Sequence, residues 1–395
     1  MKKILVALLL SLCAILTLAS CSDDSTPEIK IDFCVGDEVF LSKSYPFGER
    51  VYIPDAKPTK DGFVFNGWYY DEGTWQKAFD PTDLNREFKA AEYKVYARFE
   101  HVSFKLNDDG KSYTVTGALA GAGESIVIPS RYLGKPVTAI AMNAFAENEA
   151  IKSVSIPDSV TSVGQYAFAR CTSLLSVTLP NSTDLRVGNG AFSYCTALES
   201  ADLGATLKEI PAYGFEGCTA LTKLTVYRAE TVLGSAFKGC TALASIELPD
   251  SIKKISLRAF EGCTALKTVT LPKNTETVEE YAFFGCSALE SITFKTSSGI
   301  TSIGKNAFTG TALTELTLSS LRTLGEDALP ATLKSFTFGS KNLMYIHARA
   351  FASLSADATV SFGSTVAEFE DALKDASWSE GRLVTIVCDD GSIAP

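Results

Sequence analysis

One segment recurs along most of this chain and decides what it can fold into. Ala167 begins AFARCTSLLSVTLP, Ala191 begins AFSYCTALESADLG, and Gly214 begins GFEGCTALTKLTVY. Ala236 begins AFKGCTALASIELP, Ala259 begins AFEGCTALKTVTLP, and Ala282 begins AFFGCSALESITFK. The same phenylalanine stands at Phe145, Phe168, Phe192, Phe215, Phe237, Phe260, Phe283, Phe308 and Phe351, and Leu329 fills the gap between the last two. The spacing of about 22 to 25 residues is the period of a stacked-coil architecture. Within each unit an L-x-x-V-x-L segment, such as Leu266, Val269 and Leu271 or Leu289, Ile292 and Phe294, places its last two apolar residues two positions apart. They therefore point inward from a strand while the residue between them faces solvent. A second apolar pair such as Ile252 and Ile255 returns the chain, and the Ala-Phe pair plugs the coil interior. A single coil leaves its apolar face open, so the coils must stack into one continuous core. About ten coils at a strand spacing of ~4.8 Å predict a mainly β solenoid roughly 50 Å long.

The recurring I-P-x-S-V-T-x-x-G-x-x-A-F-x-x-C form, fullest from Ile156-Pro157-Asp158-Ser159-Val160-Thr161 through Cys171, resembles the BspA-like leucine-rich repeat of bacterial and some protist surface proteins. The solenoid is assigned to residues 101–363, with the repeat pattern itself running from about 103. Two units depart from it: Thr309-Gly310-Thr311 lacks the cysteine, and the unit around Leu329 lacks both Phe and Cys. Residues 364–395, with Trp378 and Cys388, form the expected C-terminal cap, because an open solenoid end invites end-to-end stacking.

Residues 30–100 carry another pattern: Val51-Tyr52-Ile53-Pro54, Pro58-Thr59-Lys60-Asp61-Gly62-Phe63, Phe65-Asn66-Gly67-Trp68-Tyr69, then Val95-Tyr96-Ala97-Arg98-Phe99. They resemble an internalin-type B-repeat (the Listeria–Bacteroides repeat), which implies a small N-terminal β-rich module. Phe63 and Phe65 followed by Asn66-Gly67 read as a hairpin with its turn at Asn-Gly. Upstream, Lys2 and Lys3 precede an apolar run from Ile4 to Leu18, so residues 1–20 read as an export signal. Leu18-Ala19-Ser20-Cys21 resembles a lipobox, which implies lipidation at Cys21 and a polar tether over residues 21–29. Ser22-Asp23-Asp24 resembles a surface-export tract of Bacteroidetes-type lipoproteins, implying an outer-membrane, surface-exposed body held to the membrane only by that lipid. No later stretch approaches the ~18 apolar residues of a membrane helix.

Chemistry is sparse. The histidines are His101 and His347 alone, and the net charge of −10 argues against a nucleic-acid partner. Cys171, Cys195, Cys218, Cys240, Cys263 and Cys286 fall in one column, one per coil. That spacing matches no zinc motif, and stacked parallel Cβ vectors make poor disulfides, so they read as structural thiols packed in a turn. Cys34 and Cys388 stand in different parts of the chain from any productive histidine pairing. Asp23-Asp24, Asp108-Asp109 and Asp389-Asp390 sit in turn-like polar contexts. No nucleophile elbow, zincin helix or phosphate loop is present, so no enzyme activity, cofactor or metal is expected.

The outward strand column reads Ser155, Thr178, Asp202, Thr225, Glu247, Thr270, Thr293, Thr317 and Thr337, a composition that exposed strands favour on pleat geometry alone. Lys223, Tyr227, Arg228, Glu247, Lys267 and Glu315 interrupt this hydroxyl surface and are the candidate contacts for a protein ligand. For a glycan ligand, Trp68, Tyr69 and Trp75 are the candidate stacking rings. The BspA-like resemblance implies adhesion to host matrix proteins or to other bacterial cells. The alternative expectation is a structural or glycan-binding component of the cell envelope.

Overall fold

The computed structural model describes residues 28–46, 49–60, 63–72, 77–81, 92–294, 299–339, 344–372 and 384–393. The leader at 1–20, Cys21, Trp75 and Trp378 lie outside them. Among the described residues, no helix is long and apolar enough to cross a membrane.

The N-terminal sheet is built from β1 (Glu28–Val35), β2 (Glu38–Pro46), β3 (Val64–Tyr69) and β4 (Glu92–Glu100), in the order β2-β1-β4-β3. Alternation drives it: Ile29, Ile31 and Phe33 of β1 and Val95 and Ala97 of β4 are buried on one face. Phe33 packs edge-on against Trp68 at 5.0 Å and against Phe79 at 5.8 Å. Asn66-Gly67 is not a hairpin turn. It is a bulge inside β3, between Phe65 and Trp68, and the strand continues along β4. Gly67 supplies the φ of +107° that the bulge demands, and the extra residue lets Trp68 reach the core face.

Only His101 separates β4 from the hairpin Val102–Leu106/Tyr113–Ala118, which opens the solenoid. Its second strand pairs in parallel with Lys135–Ile140, and from there every coil contributes one strand to each of two walls. The long wall runs from Ser125–Val127 to Ile386–Cys388, and the short wall carries two-residue strands such as Ser162–Val163 and Lys254–Ile255. Registers match unit for unit: Ser245 faces Thr268, Ile246 faces Val269, and Glu247 faces Thr270. Inward residues thus meet inward residues along the whole axis. The coils number about eleven, close to the ten that the repeat predicts. The additional rung comes from the tail, where Ile386–Cys388 pairs in parallel with Thr359–Phe362 and then folds back on Gly391–Ile393. Beside it lies Val366–Ala372, the only helix among the described residues.

The phenylalanine column is a continuous stack. From Phe145 to Phe308 successive rings lie 4.9 to 5.6 Å apart, with planes within 13° of parallel. The stack ends where the sequence departs from the repeat: Leu329 is buried in the next place, and Phe351 packs instead against Phe336 and Phe338.

The walls are interrupted at three places. On the short wall, Arg186–Val187 and Glu209–Ile210 do not pair. Two local features account for it. From Pro180 to Val187 the turn holds one residue more than from Pro157 to Val163, and Asp184 takes a left-handed φ of 57° to absorb it. In the next coil Pro211 occupies the place of a rung donor: Gly188 donates to Val163 and Leu233 to Ile210, but proline has no N–H for Val187. On the long wall, Lys223–Thr225 and Ser245–Glu247 do not pair. There the turn Val226-Tyr227-Arg228-Ala229 is one residue shorter than Leu248-Pro249-Asp250-Ser251-Ile252. The third interruption separates Ser291–Phe294 from Glu315–Leu318.

Candidate functional site

The cysteine column comes first, because it holds six of the chain's ten cysteines. Each thiol is buried and donates to the carbonyl of the stacking phenylalanine one coil earlier. Cys171 Sγ reaches Phe145 O at 3.1 Å, Cys195 reaches Phe168 at 3.1 Å, and Cys218 reaches Phe192 at 3.2 Å. Cys240, Cys263 and Cys286 repeat the contact at 3.2, 3.1 and 3.0 Å. Burial pushes the Cys171 and Cys218 thiols up to about 12, and holds Cys195 and Cys240 well above the usual thiol value. A thiol in that state is a hydrogen-bond donor and not a nucleophile. The departing units differ. Thr311 Oγ1 closes on Phe308 O of its own coil at 2.8 Å, whereas Ser353 Oγ reaches Leu329 O of the preceding coil at 2.7 Å. The six cysteines and Ser353 therefore each tie a coil to its predecessor. No cluster of three or more His, Cys, Asp or Glu with ligand geometry occurs among the described residues.

The outward residues fall on separate parts of the long wall. Lys223, Glu247 and Glu315 lie exposed on their strands, and Lys267 is exposed just before Thr268–Leu271. They do not converge. Glu247 has Thr270 as its neighbour, and Glu315 lies beyond the third wall interruption. Tyr227 and Arg228 stand on the shortened turn at the second interruption, both exposed. The Tyr227 hydroxyl donates to Asp202 Oδ2 at 3.1 Å, and the carboxylate holds the phenol above its usual value. Lys223, Tyr227 and Arg228, with Asp202 across the rung from Thr225, thus concentrate charge and a ring on this face. The rest is a hydroxyl ladder, as at Thr270 and Thr293, whose Oγ1 atoms lie 3.0 Å apart.

Trp68 does not serve as a ligand ring. It is 4% exposed and belongs to the core of the N-terminal sheet, whereas Tyr69, also buried, packs under the Arg98 guanidinium 5.3 Å from its ring. A sheet this small covers its single core face with its largest rings, so their burial follows from size. Near it, Arg98 is buried at the junction, 4.2 Å from the ring of Tyr132 and 2.5 Å from Glu100. This packing joins the sheet to the first coil.

Two features were missed by sequence reasoning. The short-wall interruption opens a cleft of about 550 Å³ lined by Asp184, Arg186, Thr206, Lys208, Glu209 and Glu230. Ser182 and Ser251 each donate to a carbonyl of the preceding coil, at 2.6 and 2.7 Å. Thr206 holds the same repeat position, yet its buried hydroxyl, like that of Ser159, has no partner among the described residues. The signal was present in the count of residues from Pro180 to Val187. The second feature is a row of exposed tyrosines, Tyr166, Tyr194 and Tyr213, on the corner around the Ala-Phe pair. Writing out the residues that flank each Ala-Phe would have exposed it.

Parallel coils of one repeat, stacked on a phenylalanine column and presenting regular outward strands, define the class: a leucine-rich-repeat solenoid. A solved structure shares the architecture. A leucine-rich repeat protein of Bacteroides ovatus is 19% identical, covers 73% of this chain and 89% of its own length, and superposes with a TM-score of 0.50. The leucine-rich repeat protein of T. pallidum is 28% identical over 53% of this chain and 86% of that one, with a TM-score of 0.40. A leucine-rich cell surface protein of Faecalibacterium prausnitzii is 19% identical over 70% of this chain and 97% of that one, at 0.37. No curated protein matches the sequence. The BspA-type leucine rich repeat region is matched in six copies, over residues 138–267, 229–332 and 253–374. This chain belongs to the BspA-type leucine-rich repeat family.

Proposed function

We propose that this chain is a non-catalytic binding protein of the bacterial cell envelope, lipidated at Cys21 and exposed on the outer membrane, with a protein partner on the host matrix or another bacterial surface. One observation carries the reading: the repeat spends its thiols and rings inside the stack, and offers solvent a long ordered surface. Buried donors cannot take part in turnover, whereas a regular surface broken by Lys223, Tyr227 and Arg228 suits recognition. Glu247, Lys267 and Glu315 add peripheral charges that steer encounter more than they hold the complex.

The test pairs localisation with binding. Cys21→Ala is expected to abolish lipid labelling and release the chain from membranes. The chain starting at residue 21, offered to immobilised host matrix proteins and to partner cells, is expected to bind. Changing Tyr227 and Arg228 together to Ala should then weaken a protein complex by more than about 1 kcal/mol. Equal labelling of the Cys21 variant would refute the anchor, and undiminished binding by the double variant would refute the strand face.

A further inference from the structure

The corner around each Ala-Phe pair carries two outward columns in the left-handed backbone region, one directly before the pair and one two residues after the Phe. Tyrosine occupies them alternately in three consecutive coils. Tyr166 is in the first column, Tyr194 in the second and Tyr213 in the first again, with φ of 53°, 59° and 57°. Glycine fills the place next along the axis from each of the first two. A Cβ on Gly190 would lie 2.3 Å from Tyr166 Cε1, and one on Gly217 would lie 2.6 Å from Tyr194 Cδ1. The Tyr166 and Tyr194 rings therefore rest on the following coil, laid along the solenoid instead of standing off it, and only glycine leaves room for them. From Gly217 through Gly239, Gly262, Gly285 and Gly310 the second column is glycine throughout, the residue that suits this backbone best. Tyr194 stands there against that preference.

The three rings are 43%, 42% and 45% exposed, although burying them would be favourable. None of their hydroxyls has a hydrogen-bond partner among the described residues, in contrast to Tyr227. The Arg170 guanidinium lies over the Tyr194 ring, 5.2 Å from its centroid. The coils beneath advance by 5.3 and 5.5 Å, as read from the Phe168, Phe192 and Phe215 rings. That advance is about the length of one pyranose in an extended β-1,4-linked chain, and two coils match its disaccharide repeat. Laid-down rings give a shallow shelf, suited to the flat apolar face of a sugar ribbon. They lack the projection by which interface anchors fill a partner's pocket. Free phenol hydroxyls are placed to meet equatorial hydroxyls at the ribbon's edge.

We propose that Tyr166, Tyr194 and Tyr213 form a binding shelf for an extended β-1,4-linked glycan, lying along the corner of the solenoid with one pyranose per coil. This site is separate from the strand face and does not depend on a protein ligand binding there. The test titrates the full chain calorimetrically with cellohexaose, chitohexaose and the curved α-linked maltohexaose. A triple variant, Tyr166→Asn, Tyr194→Gly and Tyr213→Asn, removes the rings but uses residues that the same columns carry in other coils, as at Asn143, Gly239 and Asn306. Its melting temperature checks that the fold is kept. Wild type should bind at least one β-linked hexamer, and maltohexaose at least about tenfold more weakly. The triple variant should lose at least about tenfold in affinity, and Phe at all three positions should stay within about threefold. The proposal is overturned if wild type binds neither β-linked hexamer, if maltohexaose binds equally well, or if the Asn/Gly variant binds normally. Loss in the Phe variant as large as in the Asn/Gly variant also overturns it. So does loss of a protein partner by the Asn/Gly variant with no glycan bound by wild type.

Discussion

Replacing Phe260 by Ala tests the stack that organises the whole solenoid. The ring is fully buried, 5.3 Å from Phe237 and 5.2 Å from Phe283, and nearly parallel to both. Truncating a buried phenylalanine costs about 3–5 kcal/mol. Each stacked pair contributes a further 0.5–1.5 kcal/mol or so beyond area burial, which moves this site to the upper end of the range. Relaxation is limited as well. The Phe260 amide is held to Ala282 O at 2.8 Å and the Phe237 amide to Ala259 O at 2.8 Å, so the flanking coils cannot close on the void. Because each coil is stabilised by its neighbours, the loss should spread to them. Urea unfolding measures the total, and hydrogen exchange at the amides of Phe237 and Phe283 measures the spread. Lys267→Ala, at an exposed position, should stay within about 0.5 kcal/mol and serves as the control. A Phe260→Ala loss below about 1 kcal/mol, with neighbouring amides still protected, would refute the column as the source of cohesion.

The remaining predictions concern single contacts. Thiol titration of the folded chain should leave the six column cysteines unreacted and should count all of them after denaturation; reaction of any at neutral pH without unfolding would contradict their burial. Cys263→Ala should cost about 1–2 kcal/mol in urea melts through lost packing and a lost donor to Phe237 O. Asp357 is held down to about 2, first by Lys334 and then by the Ser355 hydroxyl. Its contribution to stability is therefore complete above the ordinary carboxylate range and fades as pH falls toward 2. In Lys334→Met, a carboxyl NMR titration should show its midpoint moving up toward the unperturbed 3.8. An unchanged midpoint would remove Lys334 as the cause. Pro211→Ala should give Val187 O a donor, so the new amide should exchange slowly; exchange at the unprotected rate would mean that the extra turn residue alone holds the short wall open.

The periodic part of the fold was legible because every inward position repeats: Phe, Cys and the strand pairs could be assigned by register alone. What register could not show was what a thiol does once inside, since its acceptor, the phenylalanine carbonyl, belongs to the previous coil. Asn66-Gly67 was misread because the same dipeptide serves a hairpin turn and a bulge, and only the pairing of β3 with β4 separates them. Trp68 was misassigned because a tryptophan in a small sheet is equally suited to ligand stacking and to core. Tyr227 and Arg228 were visible as exceptions to a hydroxyl column, but their position at a wall interruption depended on a turn one residue short. The tyrosine row escaped notice because it alternates between two columns, so no single register position brings Tyr166, Tyr194 and Tyr213 together.

The interruptions have a mechanical consequence. Where a wall lacks its rungs, the hydrogen bonds there, about 0.5–1.5 kcal/mol each, no longer resist separation of adjacent coils on that side. The opposite wall stays paired: Ala201 still faces Leu224 across from the first gap's neighbourhood, and Val232 still faces Ile255 behind the second. Each gap then yields by opening, with the intact wall as its pivot. The first gap lies on the short wall and the second on the long wall, so they flex in opposing senses. A rod scored in this way bends both ways while remaining stiff along its axis, and can follow an uneven surface without unfolding a coil.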